Sequence, residues 1–133
     1  MKRFDYKEIC KVIDERTKEW DIEKEEIQAL EKKLTDIMNF CEKEGVVFDS
    51  VAGPVFVTHL ITLYNRLKKG EFVDMDMSFA DEISTEALEL AKKIASHLEG
   101  QYGRKIPDNE EALIATHIGA MQLRLKEEKG EEL

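Results

Sequence analysis

The stretch PDNEEALIATHIGAMQLRL, Pro107–Leu125, decides how the chain folds. Ile114, Ile118, Met121 and Leu125 recur every three or four residues, the period of an amphipathic helix. The same stretch carries a start signal. Asp108 stands at the expected N-cap, and Glu111 follows three residues later, as in a capping box. The expected helix covers about 108–127.

Working outward, the same periods and stops place four more helices, at about 2–18, 22–43, 50–69 and 84–100. The first has Tyr6, Ile9, Ile13 and Trp20 on its apolar face, with Val12 beside it. Asp21 is expected to cap the second, whose stripe is Ile27, Leu30, Leu34, Ile37 and Cys41, with a stop at Gly45. In the third, Pro54 suits the first turn, where no N–H partner is lost, and Phe56, Leu60, Leu63 and Leu67 form the stripe before Gly70. Ser84 caps the fourth, which carries Ala87, Ala91, Ile94 and Leu98 and stops around 100–103. An acidic connection, 71–83, separates these two, and 127–133 is expected to fray. Val46, Val47 and Phe48 make too short a run for a strand and are expected to pack a loop onto the core. With no linker rich in Gly, Pro or Ser, the expectation is one domain, 1–133, that is all-α: a compact five-helix bundle.

Composition narrows the function. Among 133 residues, 29 acidic side chains outnumber 20 basic ones, giving a net charge of −9. Such a surface repels phosphate backbones, so direct nucleic-acid binding is not expected. No apolar stretch is long enough for a signal peptide or a membrane span, which leads to an expected cytoplasmic location. Cys10 and Cys41 belong to no CxxC pattern and read as reduced core thiols.

One local feature carries chemistry. THLITLYNRL (58–67) and THIGAMQLRL (116–125) share Thr, His, Arg and Leu at the same four offsets. His59 and Arg66 are 7 residues apart, as are His117 and Arg124, so each pair shares a helix face. Each His also stands one residue before a stripe position, Leu60 or Ile118. Both are therefore expected at the margin of the apolar seam, packed yet reachable. A neutral imidazole there is a nucleophile near neutral pH and can take up a phosphoryl group, whose oxygens seek arginine. Hydrogen-bonded boundary residues on two helix flanks would leave the same pattern. His97, near the end of the fourth helix, suits the helix dipole and is given no other role.

At these residues the chain resembles the PTS regulation domain (PRD) of bacterial antiterminators and activators that sense sugar uptake through the phosphotransferase system. FVTHLITLYNRLKKG (56–70) is similar to the family segment in which a His precedes an Arg-Leu pair. ALELAKKIASHLEGQYGRKIPDNEEALIATHIGAM (87–121) is similar to its fourth helix, its Pro-x-x-Glu helix start and its closing His-Ile element. The likeness covers the second half of the chain well and the first half poorly. It implies a five-helix bundle and a symmetric homodimer. It also implies phosphate acceptance at His59 and His117 from the carrier protein HPr or from enzyme II components, with Arg66 as the matching neighbour; Arg124 is a second candidate cation by its spacing from His117 alone. Family regulators usually carry two such domains behind a nucleic-acid reader. This chain shows one copy and is expected to work alone, through protein–protein contacts, on sugar-uptake gene expression. It departs from the family at Thr58, where many relatives have an acid, and in EFVDMDMSFADEIS (71–84), which lacks an aromatic-Pro pattern. The alternative expectation is an assembly or dimerisation partner of a larger regulator that has lost the phosphate switch.

Other constellations fall short. Asp74, Asp76 and Ser78 begin like a calcium loop, but Phe79 and Thr85 stand where Gly and Glu are required. The positions a helical turn from His59 and His117 hold apolar residues or Thr62, so no metal site is expected. No GxSxG, P-loop or GxGxxG is present. The expectation is a non-enzyme without catalytic residues or cofactors.

Overall fold

The computed structural model describes residues 2–72, 76–102 and 105–128. The order is α1 (Tyr6–Thr17), α2 (Lys24–Lys43), α3 (Ala52–Lys69), a 3-10 turn (Ser78–Glu82), α4 (Thr85–Tyr102) and α5 (Asp108–Glu128). Among the described residues the fold is all-α, and the one extended pairing is an isolated antiparallel bridge between Arg3 and Asp49. The chain divides into two compact units, 1–62 and 63–133, with the boundary inside α3.

In the first unit α1 packs on α2. Ile9, Ile13 and Thr17 form the buried face of α1, and Leu30, Leu34, Ile37, Met38 and Cys41 that of α2. Burial pushes the Cys41 thiol up to about 12, as suits a core thiol. Cys10 is only half-buried. The helix begins at Tyr6, later than the period implied, because Asp5 leaves the helix to accept the Glu8 amide at 3.0 Å. Residues 2–5 form an extended strap instead. The Phe4 amide donates to the Phe48 carbonyl and the Ser50 amide to that of Lys2, each at 3.0 Å, and Arg3 forks onto Glu42. Phe4 is the buried aromatic of this end, whereas Tyr6 is 54% exposed and Trp20 lies beyond the helix. The N-cap of α2 is Glu23 without a side-chain bond, so Asp21 does not cap it.

The start of α3 falls at Ala52, two residues later than expected, because Asp49 is its cap. One Asp49 oxygen accepts the amides of Val51 (3.0 Å) and Ala52 (2.7 Å), and Asp49 itself is buried. Replacing it with Ala should cost about 1–2 kcal/mol in urea unfolding, while Asp49→Asn, which keeps the acceptor, should recover most of that. Equal losses for Ala and Asn would rule out the capping role. Val46 and Phe48 are buried as expected, and Phe48 stacks on Phe56 with ring centroids 4.5 Å apart. The buried set of α3 is wider than one stripe: Val57, Ile61 and Tyr64 join Phe56, Leu60, Leu63 and Leu67. Gly45 and Gly70 close α2 and α3 with positive φ, +84° and +70°.

In the second unit α4 packs on α5. Ser84 caps α4 as expected, accepting the Ala87 amide at 3.1 Å. The connection before it holds the 3-10 turn, at whose start Asp76 accepts the Ser78 amide at 3.0 Å. Asp74 and Gly103 lie outside the described residues, as do 129–133 of the expected frayed end. The start of α5 differs from the expected capping box. Pro107 takes the cap position, its carbonyl accepting the amides of Glu110 and Glu111 at 3.1 Å, and Asp108 is the first helical residue. Along α5, Ile114, Ile118 and Met121 are buried, whereas Leu125 is only half-buried, near the exposed end.

Candidate functional site

The two histidines occupy the helices that carried them in sequence. His59 lies on α3 and is half-buried, but both its ring nitrogens are shut off from solvent. The side chain is half-buried, as a seam-margin position would be, but its nitrogens are closed to solvent and not reachable as expected. His117 is half-buried on α5, with Ile118 fully buried beside it. His97 is exposed on α4.

The supporting arginines part ways. Arg124 is half-buried, one turn beyond Met121. Arg66, expected as a phosphate partner, is engaged by Glu110: its Nη1 donates to Oε2 at 2.9 Å. The Glu110 side chain is 2% exposed and that of Arg66 33%. This is an ion pair with its acidic half in the interior, where ionised carboxylates are costly unless compensated.

Glu110 is the acid of the Pro-x-x-Glu helix start, and what sequence reasoning missed is its burial and its pairing with Arg66. A signal was available, because Glu110 extends the stripe Ile114, Ile118, Met121 backwards by four residues, so an acid stands at a core position. Glu111 behaves differently. Burial pushes its carboxyl above the usual range, with Asp108 and Glu99 adding and Lys92 and Lys105 opposing. The turn before α5 is tied down by Glu99, whose Oε2 accepts the Ile106 amide at 2.7 Å.

A groove of about 500 Å³ runs between the 3-10 turn and α5, lined by Phe79, Ile83, Thr116, Gly119, Leu123 and Lys126 among others. Its wall is mostly apolar and holds no histidine. Among the described residues no group of three or more His, Cys, Asp or Glu is arranged to hold a metal ion, and no helix is long and apolar enough to cross a membrane.

Comparison with known proteins agrees with this architecture. The crystal structure of a PRD-containing transcription regulator from Lactobacillus casei ATCC 334 superimposes with a TM-score of 0.69 at 19% identity, covering 86% of this chain and 95% of that one. At that identity the likeness speaks for the fold. No curated protein matches the chain. Residues 35–121 match the PRD domain, a span that runs from α2 into α5 and encloses His59, Arg66, Glu110 and His117. That match takes in well over half of the 133 residues, and the chain therefore belongs to the PRD domain family.

Proposed function

We propose that this chain is a phosphohistidine-responsive regulator of sugar-uptake gene expression, acting alone in the cytoplasm as a homodimer through protein–protein contacts. HPr or enzyme II components are the phosphate donors, and His59 and His117 the acceptors, with Arg66 and Arg124 in support. The family match over 35–121 carries this reading, since it takes in both histidines and Arg66. A PRD-containing transcription regulator among solved structures of the same fold supports a regulatory role. The net charge of −9 argues against a direct grip on nucleic acid.

The chemistry asks for little from the chain. A neutral imidazole nitrogen attacks the donor's phosphohistidine, the donor's N–P bond breaks as the new one forms, and the phosphoryl group arrives with about −1.5 to −2 charge. Incubation with phosphoenolpyruvate, enzyme I and HPr, or with cognate enzyme II proteins, should give acid-labile phosphate that disappears in the His59→Ala/His117→Ala variant. His117→Ala alone should remove most of it, because the nitrogens of His59 are closed to solvent. No label from any of these donors would sink the reading.

The same enclosure favours a second reading, an assembly partner of a larger regulator that needs no phosphate. In that case light scattering would give the same dimer for wild type and for the variant lacking both imidazoles.

A further inference from the structure

The groove beside α5 and the position of His117 meet along one stripe of that helix. Leu113, Thr116, Ala120 and Leu123 follow each other at 3-4-3 spacing, a second stripe besides the buried one of Glu110, Ile114, Ile118 and Met121. Thr116, Ala120 and Leu123 are exposed, Leu123 by 44%, and Leu113 is half-buried. We infer that this stripe and the groove form the docking surface for the phosphoryl donor, a protein that carries its phosphohistidine beside an exposed apolar segment. This inference rests on the phosphohistidine reading above.

Three observations select that occupant. First, His117 stands between the two stripes. It lies one turn from Leu113 and from Ala120, about 40° and about 60° from them around the helix, so whatever covers the exposed stripe comes up beside the imidazole. Second, the stripe runs into the groove. Thr116, Ala120 and Leu123 line it from α5, and Phe79 and Ile83 line it from the 3-10 turn and its end. At about 500 Å³ it has room for an apolar segment of a partner, and exposed apolar surface of this kind marks interaction sites. Third, the charge is unusual. No Asp or Glu stands between Glu111 and Glu127, in a chain with 29 acidic residues among 133, whereas Arg124 and Lys126 fall in that interval. The one other acid-free run of comparable length, 50–70, surrounds His59. In the groove itself Glu82 is the acid of the lining and Lys126 its base. An anionic phosphoryl group is therefore repelled less along this stripe than by the rest of a chain of net charge −9.

Docking and transfer divide the work. The apolar contact supplies affinity for the donor and brings its phosphohistidine beside His117. The donor's N–P bond breaks as a new N–P bond forms on His117; the acceptor ring gives up its N–H proton and the departing imidazole takes one up. A second copy of the chain on the same stripe would compete with the donor, so the contact of the homodimer lies elsewhere.

Labelling kinetics of the full chain carrying His59→Ala, which leaves His117 as the acceptor, test this. Phosphorylated HPr and cognate enzyme II proteins are the donors that need docking; phosphoramidate, a small donor with a P–N bond, does not. Ala120→Glu and Leu123→Glu each put an acid on the exposed stripe. Each should raise KM for the protein donor roughly tenfold or more, while the rate with phosphoramidate stays within about twofold of the parent. Val51→Glu, the same charge change at a residue 73% exposed just before α3, should alter neither. Light scattering should give every variant the mass of the parent, and far-UV circular dichroism its helix content. An unchanged KM in both stripe variants overturns the docking surface and leaves the phosphohistidine reading standing. An equal loss with phosphoramidate would place the effect on the imidazole, and a fall to half the mass would give the stripe to a second copy; either overturns it as well. If no protein donor labels the chain, both readings fall together.

Discussion

Arg66→Ala should lower the free energy of unfolding by about 3 kcal/mol at neutral pH, the low end of the range for breaking a buried ion pair. The low end applies because Arg66 is 33% exposed, so water already screens its side of the contact. The larger part of the loss lies with Glu110. At 2% exposure its carboxylate stays desolvated when the Arg66 guanidinium is removed. Glu110→Leu in the Arg66→Ala background should therefore recover most of the loss, since an apolar side chain belongs at that stripe position. An Arg66→Met/Glu110→Leu pair should match or exceed wild type, as apolar replacements of buried pairs often do. Urea unfolding of the two single variants and the double closes the cycle. Additive losses, with no recovery in the double, would show that the two side chains do not depend on each other. A loss of 3 kcal/mol corresponds to a Tm lower by roughly 10 °C in a chain of this size.

What sequence could and could not foresee follows from the range of the forces involved. The five helices were legible because each repeats its apolar residues at helical spacing, and Ser84, Gly45 and Gly70 punctuate them in ways that depend on near neighbours alone. The start of α1 was misread because Lys2 and Phe4 bond to Ser50 and Phe48, more than forty residues away, and no helical period reveals such a pairing. Asp49 escaped notice as a cap because Ser50, next to it, is an equally good cap by type, and only the backbone course selects between them. At the site, spacing located His59 and His117 on the right helices. It could not tell that the nitrogens of His59 are closed to solvent, because that depends on tertiary packing and not on the period of α3, whose buried set also takes in Val57, Ile61 and Tyr64. The burial of Glu110 was recoverable, since an acid stands at a core register of the α5 stripe.

The strap formed by residues 2–5 sets up the second large effect, one in which a substitution changes sign with its background. A Cβ added to Gly53 would stand 2.3 Å from Cγ and Cδ1 of Phe4, far inside contact distance. The ring cannot simply turn aside. Phe4 is 3% exposed, and its backbone is fixed by the 3.0 Å bond to Phe48 and by the Lys2–Ser50 bond two residues away. Gly53→Ala must therefore lift the strap or push α3, at a cost of about 3 kcal/mol for overpacking, against a gain of about 1 kcal/mol from better helix propensity. The net loss should be about 2 kcal/mol. Phe4→Ala should cost about 3 kcal/mol by emptying a buried aromatic site. In the Phe4→Ala background the obstacle to a Cβ is gone and the helical gain remains, so adding Gly53→Ala should then stabilise the chain by up to about 1 kcal/mol. Denaturant unfolding of the four proteins reads the reversal directly. A Gly53→Ala penalty of the same size with and without Phe4 would mean that something other than the ring makes glycine necessary there. A reversal would show that the first residues of the chain are part of its core, held in place by the absence of one side chain on α3.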